Sequence, residues 1–128
     1  MSGQKILSDK QYDILHRKGT EPAFSGKYYY FHDSGTYVCA ACGSPIFSSD
    51  NKFDCGCGWP SFDEALPGSV RLMPDYRQGL RRIEVLCANC HSHLGHVFAD
   101  GPTATGMRYC INSLAMDFCH KKANPKSE

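Results

Sequence analysis

The sequence predicts a small, mainly antiparallel β domain, and three observations carry that expectation. Short stretches rich in Val, Ile, Tyr and Phe recur along the chain, separated by turn signals at short spacing. Helix signals are confined to one stretch near the N-terminus and one short turn further on. Four of the eight cysteines fall in two Cys-x-x-Cys pairs, each just after a strand-like segment. At 128 residues the chain is expected to form a single domain, residues 1–128, with a polar tail from about residue 121.

Taken in order, Leu7-Ser8-Asp9-Lys10-Gln11 reads as a helix start. Ser8 can cap, Gln11 sits at the capping-box position, and Leu7 can staple onto Tyr12. Tyr12 and Leu15 should share the buried face, with a stop at Gly19 before Thr20-Glu21-Pro22. Lys27 to Phe31 and Thr36 to Cys39 flank Asp33-Ser34-Gly35 and suggest a hairpin. Ile46-Phe47 and Lys52-Phe53 are short strand candidates. Ser61 with Glu64 makes a second capping box, so Phe62 to Leu66 should form one helical turn before Pro67-Gly68. Val70 to Leu72, Arg82 to Val85 and His96 to Phe98 continue the strands, with Ile83 and Val85 inward. Arg108-Tyr109-Cys110-Ile111-Asn112-Ser113 alternates, so Tyr109 and Ile111 face a core while Arg108, Cys110 and Asn112 face the other way.

Charge and composition exclude some functions. The net charge of +1 gives no field that would draw the chain to nucleic acid or acidic lipid. The first residues lead into no apolar signal region, and no apolar run reaches membrane-spanning length. The expectation is a soluble, cytoplasmic protein with no nucleic-acid or membrane partner, and a monomer by default.

Cys39-Ala40-Ala41-Cys42 and Cys87-Ala88-Asn89-Cys90 supply four thiolates, the donor set of tetrahedral zinc. Four thiolates close the shell, so the zinc is structural, and a zinc hydrolase is excluded. Two disulfides or a thioredoxin-like redox pair fit less well in a chain without export signals. The redox pair would want one Cys-x-x-Cys near a βαβ unit, and a zinc ribbon would want its knuckles about 15–20 residues apart.

Two further stretches stand out. His91-Ser92-His93-Leu94-Gly95-His96 puts three histidines in six residues, able to supply an acid or base near neutral pH or to bind a second metal. No glutamate follows them, which removes a cytidine-deaminase-like site. Gly56-Cys57-Gly58-Trp59-Pro60-Ser61-Phe62 holds the lone tryptophan beside a cysteine between glycines. Taken alone, Cys110 reads as a half-buried cysteine on an ordinary strand. Beside Arg108, it also reads as a thiol that a cation can hold as thiolate.

The joint pattern decides between these. Cys-x-x-Cys, Gly-Cys-Gly-Trp-Pro-Ser-Phe, Arg-x-Glu-Val-x-Cys-x-x-Cys, His-x-Gly-His-Val-Phe-x-Asp-Gly-Pro and Arg-Tyr-Cys-Ile-Asn-Ser follow one another. In this order, from about Asp9 to Phe118, they closely resemble the methionine-R-sulfoxide reductases of the B type. The resemblance implies two antiparallel sheets with short flanking helices, tied by a four-cysteine zinc site of Cys39, Cys42, Cys87 and Cys90. It implies Cys110 as nucleophile and Cys57 as resolving cysteine, joined in a disulfide that thioredoxin reduces. It makes Trp59 the aromatic wall of the substrate pocket, with His93, His96, Asp100, Arg108 and Asn112 around the sulfoxide. The implied activity is repair of methionine sulfoxide in oxidised proteins or peptides. Many relatives carry serine where this chain has Cys55, so Cys55 could compete as resolver. Cys119 is a spare thiol. A zinc-stabilised binding module remains the rival, although lone Trp59 offers little stacking surface for single strands.

Overall fold

The computed structural model describes residues 7–17, 19–76, 79 and 81–120, so the expected tail from residue 121 lies outside the described residues. Among the described residues one α-helix, α1 (Asp9–Arg17), precedes nine strands. Strands β1 (Gly35–Cys39), β2 (Pro45–Ser48) and β9 (Met116–His120) form a three-stranded antiparallel sheet in the order β2-β1-β9. Strands β3 (Lys52–Phe53), β4 (Ser61–Phe62), β5 (Val70–Asp75), β6 (Arg82–Cys87), β7 (His93–Phe98) and β8 (Arg108–Ile111) form a second, six-stranded sheet. Its order is β3-β4-β8-β7-β6-β5, with antiparallel pairing throughout. The expected two-sheet architecture is the observed one. Among the described residues no helix is long and apolar enough to cross a membrane.

The two sheets meet through aromatic rings. Phe47 of β2 stacks on Phe62 of β4 at 4.3 Å, and Tyr37 of β1 meets the same ring edge-on at 5.1 Å. Ile46, Val85, Leu94, Ile111 and Met116 complete a core from which water is excluded. Burial of this apolar surface is the main drive to fold.

The capping box forms as expected. The Gln11 N–H donates to Ser8 Oγ at 3.1 Å, and the Ser8 N–H donates to Gln11 Oε1 at 3.1 Å. The buried face of α1 differs from the expectation: Ile14 and Leu15 are buried, while Tyr12 is 47% exposed. Tyr12 instead packs on His16, with Arg17 over its ring, and Leu7 rests against the core.

Three other elements also depart from the sequence reading. Lys27 to Tyr30 is a turn, not a strand. Its backbone closes locally, Tyr29 N–H to Gly26 O and Phe31 N–H to Tyr28 O. The rings of Tyr28 and Phe31 cap the small sheet at Tyr37 and Phe118. The expected hairpin is therefore absent, and β1 pairs with β2 and β9. Phe62 to Leu66 forms no helical turn, because Ser61 and Phe62 pair with Cys110 and Tyr109 in the ladder. Ile83, expected inward, is 38% exposed, whereas Val85 is buried as expected.

Candidate active site

Strand β8 lies between β4 and β7, which fixes the surroundings of Cys110. Ser61 is its cross-strand neighbour on one side and His96 on the other. Glu84 continues the row beyond His96, and Phe53 beyond Ser61. Directly opposed residues share a face, so Ser61, Cys110, His96 and Glu84 form a polar, reactive row across the sheet opposite the core, with apolar Phe53 at its end. Tyr109 and Ile111 point the other way, Tyr109 onto Phe47 at 5.8 Å. The close approach of β7 requires glycine at position 95, where a Cβ would collide with the Cys110 carbonyl oxygen.

A cavity of about 250 Å3 opens on this face. Six residues that the resemblance placed at the site, Cys110, Cys57, Trp59, His96, Arg108 and Asn112, line it, and Thr20, Arg82, Gly95 and Phe98 join them. Its walls carry chemistry of two kinds. Trp59 and Phe98 are apolar, and the Arg108 guanidinium sits 4.5 Å from the centre of the Phe98 ring. His96 Nε2 lies 2.7 Å from Asp75 Oδ2, a buried pair to which Arg82 adds a 3.7 Å contact. A carboxylate on one ring nitrogen fixes the ring's orientation and tautomer.

Two expected members stand outside the lining. His93 is buried behind the cavity, with Nδ1 2.7 Å from Glu84 Oε2 and its ring 5.4 Å from that of His96. The Asp100 side chain is 60% exposed and grips Arg108, accepting from Nε at 2.8 Å and from the terminal Nη2 at 3.1 Å.

The strap Thr20-Glu21, read from the sequence only as a helix stop, holds two lining residues. Trp59 Nε1 donates to the Glu21 carbonyl at 2.9 Å, and the Glu21 N–H donates to Asn112 Oδ1 at 2.9 Å. The Asn112 amide donates in turn to the Leu94 carbonyl at 3.0 Å. Period-two alternation could have found Arg82 beside Glu84 and Phe98 beside His96. No local signal points to Thr20 or to Asp75.

The expectation that Arg108 holds Cys110 as thiolate is corrected here. Burial pushes the Cys110 thiol up from the usual 9.0 to about 11, and the opposing pull of Arg108 is too small to reverse it. The charges of Glu21 and then of Asp100 also raise Cys110, and Asp100 occupies the guanidinium as well. At neutral pH Cys110 rests as the thiol. Iodoacetamide alkylation of Cys110, followed on its peptide by mass spectrometry, should therefore accelerate with pH until about 11. Asp100→Asn should move that profile to lower pH. A profile centred below the usual 9.0 would overturn the assignment. The folded state holds this proton more tightly than the unfolded chain. Its contribution to stability is thus complete below the usual 9.0 and lost as pH rises through about 11.

Cys57 is bonded to Cys55 and not to Cys110. Ser61 anchors the pair: its hydroxyl lies 3.0 Å from Cys55 Sγ, 3.4 Å from Cys57 Sγ and 3.1 Å from the Trp59 carbonyl. This engagement of Ser61 is a second reason that it caps no helix.

The four knuckle cysteines come together. Cys39, Cys42, Cys87 and Cys90 have their sulfurs within 4.8 Å of one another, a group that could hold a metal ion. The knuckles repeat one backbone design. Gly43 N–H bonds Cys39 O, and His91 N–H bonds Cys87 O, each at 2.8 Å. Gly43 and His91 both adopt positive φ, 80° and 64°. Ser44 and Ser92 hydroxyls lie 3.3 and 3.1 Å from Cys42 and Cys90 Sγ. One knuckle joins β1 to β2 and the other joins β6 to β7, so the cluster ties a hairpin of each sheet to the other. Cys119 is exposed on β9, away from both groups.

Comparison with known proteins agrees with this arrangement. The SelR domain family matches residues 7–120. The chain is 58% identical over 113 residues to the peptide methionine sulfoxide reductase MsrB of Thiobacillus denitrificans, covering 88% of this chain and 86% of that protein. It is 50% identical over 126 residues to the MsrB of Methanosarcina barkeri, covering 98% and 89%. It is 50% identical over 122 residues to the MsrB of Acinetobacter baumannii, covering 94% and 88%. Matched along nearly its whole described length, the chain belongs to the SelR-domain family of MsrB-type peptide methionine sulfoxide reductases.

Proposed function

We propose that the chain, acting as a single domain, reduces methionine (R)-S-oxide in oxidised proteins to methionine and draws its electrons from thioredoxin. The observation that carries this reading is a thiol, Cys110, in a cavity between two aromatic walls and a carboxylate-held histidine. A methionine sulfoxide offers a terminal methyl for Trp59 and Phe98 and a polarised S–O group for the polar side. Arg108 and Asn112 border that side, and His93 and Asp100 support it through His96 and Arg108.

The protonation state of Cys110 suits the reaction. The thiol gives up its proton as its sulfur attacks, and the leaving sulfoxide oxygen gains one. His96 can carry that proton, acting as base and then as acid. The oxygen ends on Cys110 as a sulfenic acid, and methionine leaves with both electrons of the S–O bond. Cys57 then displaces water and forms the Cys110–Cys57 disulfide, which a dithiol opens by exchange. The R preference rests on family membership.

The cluster suits one structural zinc. Four thiolates at about 2.3 Å from a tetrahedral ion have S–S edges of about 3.8 Å, and the Cys39–Cys90 and Cys42–Cys87 sulfurs lie 3.7 Å apart. The Ser44 and Ser92 hydroxyls can donate to Cys42 and Cys90. Zinc supplies binding energy for folding here, not catalysis. A monomer in the reducing cytoplasm, without nucleic-acid or membrane partners, fits the free thiols and the small charge.

The test is steady-state reduction of separated R and S peptide sulfoxides with thioredoxin and its reductase. Only the R form should be consumed; equal use of both, or of neither, would sink the reading. Trp59→Ala should lower kcat/KM by roughly ten- to a hundredfold with its melting temperature nearly unchanged. Unfolding of this variant would mark Trp59 as a core anchor instead.

A further inference from the structure

We infer that Cys55 and Cys57 form a dithiol relay that takes the oxidation off Cys110 and delivers it, as their own disulfide, to the surface. The inference rests on the reductase reading above and adds a third catalytic sulfur to it. Cys57 lines the cavity that holds Cys110, and it also lines a neighbouring open depression with Phe53, Asp54 and Cys55. Cys55 lines the outer depression and not the Cys110 cavity. Cys57 is thus the cysteine that faces both sides, and it is bonded to its outer neighbour.

The local backbone is built for this pair. Gly56 between them has φ of 74°, a conformation that L side chains rarely adopt, although a Cβ there would meet nothing within 4 Å. The glycine serves the turn and not the space around it. The Cys57 N–H donates to Cys55 Sγ at 3.1 Å, and the Ser61 hydroxyl, whose one proton it shares with the Trp59 carbonyl, lies 3.0 Å from the same sulfur. Such a donor favours negative charge on that sulfur. Of the two thiols, Cys55 is therefore the better placed to be a thiolate when the pair is reduced. A thiolate next to a disulfide exchanges with it.

The steps balance. Cys110 sulfenic acid and the Cys57 thiol give the Cys110–Cys57 disulfide and water. The Cys55 thiolate then attacks Cys57 Sγ. The Cys55–Cys57 bond forms, the Cys110–Cys57 bond breaks, and Cys110 leaves with the electron pair and takes up the proton. No net electrons are lost in this exchange. An external dithiol such as thioredoxin attacks Cys57 from the outer depression and expels Cys55, the sulfur that accepts from the Cys57 N–H. Its second thiol then releases Cys57. Cys110 is free for the next substrate before the reductant arrives.

The relay has a countable signature. Full-length, zinc-loaded protein carrying Cys119→Ser is reduced, freed of reductant and mixed with excess R-sulfoxide peptide, and the methionine formed per chain is measured. The relay yields about two methionines, because Cys110 reacts, is released, and reacts again. Adding Cys55→Ser should cut this to one and leave a Cys110–Cys57 cross-linked peptide pair. Without that change, a single peptide should carry Cys55 and Cys57 minus two hydrogens. One methionine from the chain with Cys55 intact, or two with Cys55→Ser, would overturn the relay. No methionine from either would overturn the reductase reading itself.

Discussion

Cys110→Ser should abolish methionine formation even in a single turnover, by at least about a thousandfold. The serine hydroxyl fits the same space on β8, but it is a poor nucleophile at sulfur without a strong base. Cys57→Ser should behave differently. It retains Cys110, so it should still form about one methionine per chain before stalling with thioredoxin, because the sulfenic acid needs only Cys110. Dimedone should trap that sulfenic acid on Cys110, with the adduct mapped to its peptide. Single-turnover methionine from Cys110→Ser would remove Cys110 as nucleophile. Normal cycling of Cys57→Ser with thioredoxin would transfer the resolving role to Cys55.

Loss of a knuckle cysteine should have the largest effect on stability. Cys39 and Cys87 are both buried, at the ends of β1 and β6. Structural zinc contributes about 10 kcal/mol or more of binding free energy in small domains. Cys39→Ser or Cys87→Ser should release the metal and lower the melting temperature by more than about 15 °C, or prevent folding altogether. Exposed Cys119→Ser is the control and should leave zinc content and melting unchanged. The measurements are metal analysis and calorimetry on the purified variants. A Cys87→Ser protein of full stability would show that the cluster is no clamp.

The legible parts of the fold were those decided locally. The Ser8–Gln11 capping box forms because both partners lie within one turn. The period-two pattern of β8 correctly sends Tyr109 and Ile111 inward and Cys110 outward. The knuckle spacing anticipated a four-sulfur group. The failures share a different cause. Ser61 carries a capping signature, but the ladder with Cys110 and the contact with Cys55 claim it. The Lys27–Phe31 aromatics satisfy strand propensity, yet they serve better as a lid over the small sheet, because that propensity reflects packing on a surface. Arg108 is adjacent to Cys110 in sequence, but its effect depends on Asp100 and on burial, which spacing does not encode. The partners of His96 and His93, Asp75 and Glu84, come from strands β5 and β6, and pairing across strands is what a linear reading cannot supply.

The protonated Cys110 bears on survival under the conditions in which the enzyme works. Hydrogen peroxide oxidises thiolates, not thiols. Raising the thiol from the usual 9.0 to about 11 leaves roughly a hundredfold fewer thiolates at neutral pH. A sulfoxide seated beside His96 can take the thiol's proton as it reacts, whereas peroxide free in solution arrives without that help. In the proposed reaction, burial would thus act as a kinetic filter, discriminating against the oxidant and reserving Cys110 for the damaged side chain.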